Sequence, residues 1–554
     1  MTTQASGGSA NVVMPRWPVT AAARSYRGVG WVRGAFAAGL TALLVGCAAQ
    51  PAKDADAGAE SSGGGAPTSG ASASGTSASG TSTSDASATS RSSAGAKSAA
   101  GAKPSAPKEP APLMRPWTTP ADPYPSTYKP PLSPPTLIKG ATVLTGIGTK
   151  LDNADVLVVD GHISAVGTGL QAPSGARVID AKGRWVTPGL IDIHSHLGVY
   201  PSPGMNGTSD GNEATAPVTA NVWAEHSVHP QDPGFTTALA GGITTLQILP
   251  GSANLIGGRS VVLKNVYSVT TQGMKFPGAP YGLKMACGEN PKRVYGGKNQ
   301  TPQTDMANMA GYRAQWLEAT EYLRDYQAYE QKRQAGDKDA KPPKRDLRLD
   351  TLSGVLKGDI LVQMHCYRAE EMAAVIDMSK EFGYHVAAFH HGVEAYKIAN
   401  LLADNGICGA LWADWWGFKM EAFDAIEENI AFVDAAKNGC AIVHSDSEEG
   451  IQRLNQEAAK AMTSGRRVGL NIAPEHAIQW VTSNPAKAMG ILDKTGTLEV
   501  GKMGDVVVWN GTPFSVYALA DQVLIDGALV YDRANPPPKP RIDFLLGLPS
   551  GVTP

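Results

Sequence analysis

The run Val186-Thr187-Pro188-Gly189-Leu190-Ile191-Asp192-Ile193-His194-Ser195-His196 leads apolar residues and a Pro-Gly pair into two histidines. On a β-strand, side chains at i and i+2 share a face. His194 and His196 therefore project into the same space. Two neutral imidazoles on one face suit a divalent metal such as zinc. A lone His-x-His is more often surface or core than a ligand pair, so the surrounding chain has to supply the rest of a site.

Upstream of this run lie short alternating strands with glycine turns: Leu137–Leu144, Ala154–His162, Ile163–Val166 and Ala176–Asp180. Similar strands return near the end at Asp505–Trp509 and Gln522–Gly527. Their alternation predicts a small β-sandwich built from an N-terminal segment, 136–185, and a C-terminal segment, 496–540. Between them, 186–495 spans 310 residues. Eight units of about 39 residues would each hold a strand, a helix and two loops, as in a (β/α)8 TIM-type barrel. Helical periodicity is clearest from Ala307 to Gln331 and from Glu370 to Phe382. The fold class expected is α/β, with the barrel inserted in the sandwich. Gln331–Asp350 is dense in charge and reads as an exposed loop.

Charge is unevenly distributed along the 554 residues. The total is −2, but residues 1–47 hold four arginines and no acid. Residues 48–112 balance to zero, which leaves −6 on the body. That balance argues against a nucleic-acid binder, which needs a basic stripe. Residues 35–46 form an apolar run too short to span a bilayer. Following an arginine-bearing stretch, it suits a signal-peptide core. Leu44-Val45-Gly46-Cys47 resembles a bacterial lipoprotein box, so residues 1–47 read as a lipoprotein signal peptide with Cys47 lipidated. Residues 48–112 contain no Ile, Leu, Val, Phe, Met, Tyr or Trp and have no core to bury, so 48–135 reads as a disordered tether ending in a Pro-rich strap. Such a tether would hold the body some 40–50 Å from its anchor. The protein is then expected to be exported and lipid-anchored to a bacterial membrane, at the periplasmic face or cell surface. Residues 541–554 read as a C-terminal tail. Cys287, Cys366, Cys408 and Cys440 fall on or beside barrel strands and read as buried free thiols.

The opening run resembles the first barrel strand of the amidohydrolase superfamily. Ala240–Thr245 resembles its second strand, and Thr482–Lys487 with Gly496–Lys502 its closing helix and return to the sandwich. Leu249–Gly258 and Cys287–Arg293 are similar to a bacterial branch near imidazolonepropionase-like members. The resemblance covers roughly 136–535 and implies metal ligands on strands one, four, five, six and eight. It assigns His194 and His196 to strand one, His365 to the end of Ile360–His365, and His391 to the end of His385–Gly392. Asp446 follows Ala441–Ser445 on strand eight. His390 would point away from the site and be structural. For strand four, Glu289 is preferred, with a carboxylated Lys284 or Lys264 as alternatives.

The implied chemistry is hydrolysis of a carbon–nitrogen bond in a cyclic amide, an N-acyl compound or a dipeptide-like substrate. One or two divalent ions, zinc by preference, would activate water. Asp446 would shuttle its proton, with His365 and His391 in the catalytic set. Tyr367, Arg368 and Arg259 are candidates for substrate binding, and Trp412, Trp415 and Trp416 for a pocket wall. The contrasting reading is a tethered metal-binding scaffold or sensor. The partner expected is a small amide or peptide-like molecule, with the membrane reached only through the lipid anchor.

Overall fold

The computed structural model describes residues 122–536 apart from Trp416. The leader with Cys47, the tether to residue 121, the 541–554 tail and Trp416 lie outside the described residues. Five strands come first: β1 (Thr136–Leu144), β2 (Lys150–Val159), β3 (His162–Gly167), β4 (Arg177–Asp180) and β5 (Trp185–Pro188). β1 pairs antiparallel with β2 and, on its other edge, parallel with β4 and then β5. Gly189 then links β5 to the second sheet.

That sheet has eight strands: β6 (Leu190–Ser195), β7 (Ile243–Ile248), β8 (Ile256–Lys264), β9 (Tyr281–Ala286), β10 (Ile360–Cys366), β11 (Val386–His391), β12 (Cys408–Leu411) and β13 (Ala441–Val443). They are hydrogen-bonded in sequence order from β6 to β13. The Asp446 N–H donates to the His194 carbonyl at 3.0 Å, which ties the end of the last strand to the first. Every residue of β6, β7, β8 and β11 is buried, as expected when helices cover one side and side chains fill the other.

One strand departs from the eight-fold parallel expectation. β8 runs antiparallel to both β7 and β9. A parallel crossover needs a dozen or more residues, usually a helix. Only residues 249–255 separate β7 from β8, and only a four-residue helix, Thr271–Met274, lies between β8 and β9. The remaining neighbours pair in parallel. Helices Asp305–Gln334 and Ala369–Phe382 match the periodic segments. The first is capped by the Thr304 side chain, and the second ends at Gly383 with φ +74°.

The chain then returns through β14 (Val506–Trp509), β15 (Ala520–Ile525) and β16 (Ala528–Asp532). β14 pairs with β5, so both ends of the described chain share one hydrogen-bonded network, in the order β16-β15-β14-β5-β1-β2-β3. Ile138, Val143, Val156, Val186, Val506 and Leu524 meet in its core. Residues 122–135 carry no helix or strand and are bonded to the body. The Tyr128 hydroxyl donates to Asp526 at 2.5 Å, and the Thr127 N–H to the Gln272 carbonyl at 3.0 Å.

The four cysteines among the described residues are paired rather than free. Cys287 bridges to Cys366 and Cys408 to Cys440. Each bridge spans neighbouring strands: β9 to β10 at their C-terminal ends, and β12 to the residue before β13.

Candidate metal centre

The C-terminal ends of β6, β9, β10, β11 and β13 converge on one buried cluster. His194 is wholly buried at the centre. Its Nε2 lies 3.3 Å from His196 Nε2 and 3.5 Å from Asp446 Oδ1, while His196 Nε2 is 3.2 Å from the same carboxylate oxygen. His391 Nδ1 faces Asp446 Oδ2 at 3.7 Å. Two overlapping donor sets result, His194–His196–Asp446 and His194–His391–His444, each with ligand atoms within 4.8 Å of one another.

Hydrogen bonding around the cluster determines which imidazole nitrogens are bare. The Gln363 amide N–H donates to the Ala488 carbonyl at 3.2 Å, so its oxygen faces His390 Nε2, 2.8 Å away. His390 Nε2–H must donate there, which leaves its Nδ1 as acceptor. His194 Nδ1, 2.8 Å from it, then carries the proton, and His194 Nε2 presents a lone pair to the centre. His196 Nδ1 donates to the Leu249 carbonyl at 2.9 Å, so its Nε2 is bare as well. Two lone pairs and a carboxylate thus face one another, with Lys284 Nζ, 3.4 Å from His194 Nε2, as the neighbouring donor. Such a constellation fits a cation, and the outer hydrogen bonds are those that orient metal-binding imidazoles.

Burial favours the neutral form of the innermost rings. It holds His194 well below the usual imidazole range, with the neighbouring Lys284 charge acting in the same direction. Burial does the same for His391, His365 and His390, and brings His444 down to about 3. Beneath the cluster, burial pushes the Asp192 carboxyl up to about 7. Asp192 accepts from the Ser445 hydroxyl at 2.5 Å and from the His194 N–H at 3.1 Å, tying β6 to the segment that carries Asp446. His391 and Asp446 themselves adopt φ of +70° and +52°. Non-glycine residues held there cost about 1–3 kcal/mol each and cluster at functional sites.

The other sequence candidates fall in different places. His365 is buried beside His391 at 4.5 Å between ring centres, with Nδ1 2.8 Å from the Ser252 hydroxyl. Its Nε2 has no partner among the described residues. Tyr367 packs on His365 at 4.7 Å and carries the Lys419 ammonium over its ring at 4.2 Å. Lys284 Nζ lies 3.4 Å from His194 Nε2, inside the cluster.

Glu289 is not brought there. Gly288 turns the chain with φ +73°, and Glu289 opens the next helix. Its N–H donates to Glu421 at 2.7 Å, and its carboxylate lies 4.0 Å from Lys419. Burial, with Glu289 nearby, pushes the Glu421 carboxyl up to about 7.

Lys264 is also elsewhere, bound to Asp526 at 2.6 Å and Asp505 at 3.2 Å between the two sheets. Arg259 packs its guanidinium 4.0 Å from the Trp223 ring and donates to the Thr351 hydroxyl, and Arg368 pairs with Glu370 at the surface.

His390 does not point away. Both it and His391 contact His194, at 4.7 Å between ring centres. His390, His444, Gln363 and Asp192 join the cluster beyond the residues that the resemblance implies. The i, i+2 spacing of His444 with Asp446, Gln363 with His365 and Asp192 with His194 was the available signal.

The amidohydrolase family model matches residues 185–533. The chain is 32% identical over 434 residues to amidohydrolase tasK of Hapsidospora irregularis, covering 72% of this chain and 43% of that protein. It is 35% identical over 125 residues to a dihydroorotase of Citrifermentans bemidjiense, covering 23% of this chain and 24% of that one. The chain thus spans less than half the length of these curated relatives. Among solved structures, an amidohydrolase from Thermotoga maritima MSB8 superposes with a TM-score of 0.65 at 35% identity, covering 72% of this chain and all of that one. With its histidines and aspartate gathered as the geometry shows, the chain belongs to the amidohydrolase family.

Proposed function

We propose that the protein is a metal-dependent hydrolase of small N-acyl or dipeptide-like amides, working from the cluster around His194. The observation that carries this reading is the convergence of two inward-facing, unprotonated imidazole nitrogens and the Asp446 carboxylate within 3.5 Å. His194, His196, His391, His444 and Asp446 would hold the ion. Zinc suits their nitrogen and oxygen donors. A bound divalent ion supplies Lewis acidity and a water acidic near neutral pH.

The protein's own groups do the rest. Asp446 takes the proton of the attacking water on a carboxylate oxygen and returns it to the leaving nitrogen. One carboxylate serves both steps because it enters the reaction ionised. Buried neutral histidines, His365 among them, offer N–H groups that can polarise the scissile carbonyl. For strand four we favour Lys284 over Glu289. An ammonium 3.4 Å from His194 Nε2 would repel a cation. Carboxylation joins Nζ to carbon dioxide, and the former ammonium gives up two protons in becoming a carbamate anion, which reverses the sign of that charge.

The motifs at Leu249–Gly258 and Cys287–Arg293 support a place near imidazolonepropionase-like members. We also propose export and anchoring through Cys47. Two disulfides in the body support an oxidising compartment. The reading as a tethered metal-binding scaffold or sensor is not favoured, because the family match and the hydrolase-named relatives support catalysis.

Chelation tests the reading. Dialysis against a strong chelator should abolish hydrolysis of N-acetylglycine and dipeptides, and back-titration with zinc should restore it. Activity that persists without bound metal would contradict it.

A further inference from the structure

The Ala488 carbonyl, Gln363 and His390 form one line of hydrogen bonds that ends on His194, with links of 3.2, 2.8 and 2.8 Å. The three side chains are wholly buried. Each side-chain link can run in either direction, because an amide and a neutral imidazole each offer one donor side and one acceptor side. In the direction set by Ala488, Gln363 donates to the carbonyl, His390 Nε2–H to the Gln363 oxygen, and His194 Nδ1–H to His390 Nδ1. His194 Nε2 is then unprotonated. Turning the Gln363 amide over reverses every link. Gln363 would donate to His390 Nε2, His390 Nδ1–H to His194 Nδ1, and His194 would carry its proton on Nε2. Each ring keeps one proton, so none is gained or lost.

The two directions differ in what they leave at the centre. In the reversed one, His194 Nε2–H points at His196 Nε2, 3.3 Å away, and at Asp446 Oδ1, 3.5 Å away. A proton then occupies the place where the donor atoms meet. The Ala488 carbonyl stands against that reversal. Ala488 is the last residue of helix Ser483–Ala488, and the final carbonyls of a helix have no donor within it. A carbonyl oxygen only accepts, so the turned amide would set oxygen against oxygen in a buried place and leave both without a donor, which is costly. Lys284 Nζ, 3.4 Å from His194 Nε2, points the same way, since it is a donor and needs an acceptor there.

We propose that Gln363 and His390 are positioning residues that lock the direction of this line, and that the helix-end carbonyl of Ala488, acting through them, keeps His194 Nε2 open to a divalent ion. The proposal rests on the metal-binding reading of the His194 cluster. It makes the metal affinity of β6 depend on an amide of β10 and on the end of a helix, neither of which holds the ion.

Two measurements on the full chain separate this proposal from the reading it rests on. The first is nitrogen NMR of the metal-free protein labelled at histidine. Nitrogens joined by an N–H···N bond are coupled through it, which picks out the His194–His390 pair. His390 is the ring whose signals Gln363→Met moves or His390→Asn removes. The expected result is a proton on His194 Nδ1 and on His390 Nε2. A proton on His194 Nε2 in the wild type would overturn the proposal. The second is zinc affinity by competition with a chromophoric chelator. Gln363→Met keeps the length of the side chain but neither donates nor accepts. It should move the His194 proton to Nε2 and weaken zinc binding at least about tenfold, as loss of an outer hydrogen bond to a metal ligand does. A merely structural role would lower the melting temperature and leave that proton where it is. His390→Asn keeps an oxygen that can accept from His194 Nδ1–H, so it should bind zinc more tightly than His390→Leu. Equal zinc affinity in the wild type and Gln363→Met, or in the two His390 variants, would also overturn the proposal. A wild type with the expected protons that takes up no zinc would instead contradict the metal-binding reading and leave the direction of the line standing.

Discussion

Asp446→Asn should lower kcat by about 10²–10⁴-fold, the usual contribution of a positioned acid–base group, while the protein still binds metal. The side chain has nearly the same shape in both forms, and the Asp446 N–H bond to the His194 carbonyl belongs to the backbone. The left-handed φ of +52° is one that asparagine adopts as readily as aspartate. Packing and strand closure should therefore survive. The substitution removes an oxygen that can take a proton from water and release it to nitrogen. His194, His196, His391 and His444 remain to hold the ion. Single-turnover kinetics and metal content on the same preparation make the comparison. Retained turnover would remove Asp446 from the proton path, and loss of all metal would make it chiefly a ligand.

The second large effect concerns strand four. Lys284→Met keeps an unbranched chain of similar length in a wholly buried position but removes the nitrogen. If Lys284 carries the negative charge that completes the site, this variant should lose at least about 100-fold in metal affinity, the upper range for residues that support a metal site. Turnover should fall with it. Glu289→Gln should leave both within about a factor of three, because Glu289 faces Lys419 and the Glu421 loop instead. The opposite ranking of the two variants would restore Glu289 as the strand-four group. Stripping carbon dioxide before metal loading should slow reconstitution of the wild type, and added bicarbonate should restore it.

Much of this site can be read from short-range spacing. His194 and His196 are two residues apart on a strand, so their common face follows from the pleat. Asp446 stands at the end of an apolar strand, as His365 does. The parity rule misplaced His390 because His391 leaves the extended conformation. At φ +70° the chain swings His391 back inward, and both rings then reach His194. Glu289 looked like a strand-end ligand because its position is right in sequence. Gly288 turns the backbone one residue earlier and sends Glu289 onto a helix.

Longer-range features were less legible. Cys287 and Cys366 meet only because Ala286 of β9 pairs with His365 of β10, a register no local pattern announces. The direction of β8 was within reach, since residues 249–255 are too few for a crossover helix. Dividing the insert into eight equal units concealed that shortness. The His390–Gln363–Ala488 chain needs three strand and helix ends in place before any donor finds its acceptor. It is a tertiary property with no signature along the chain.

The most direct test is zinc-edge anomalous diffraction from crystals of the zinc-loaded protein. The predicted result is a peak bounded by His194, His196 and Asp446, with any second peak toward His391 and His444. The remaining donor group, Cys287, Cys366 and Glu371, should stay empty because both sulfurs are held in the disulfide. No peak at the histidine cluster under saturating zinc, or a single peak at the cysteines, would contradict the assignment of this cluster as the hydrolytic centre.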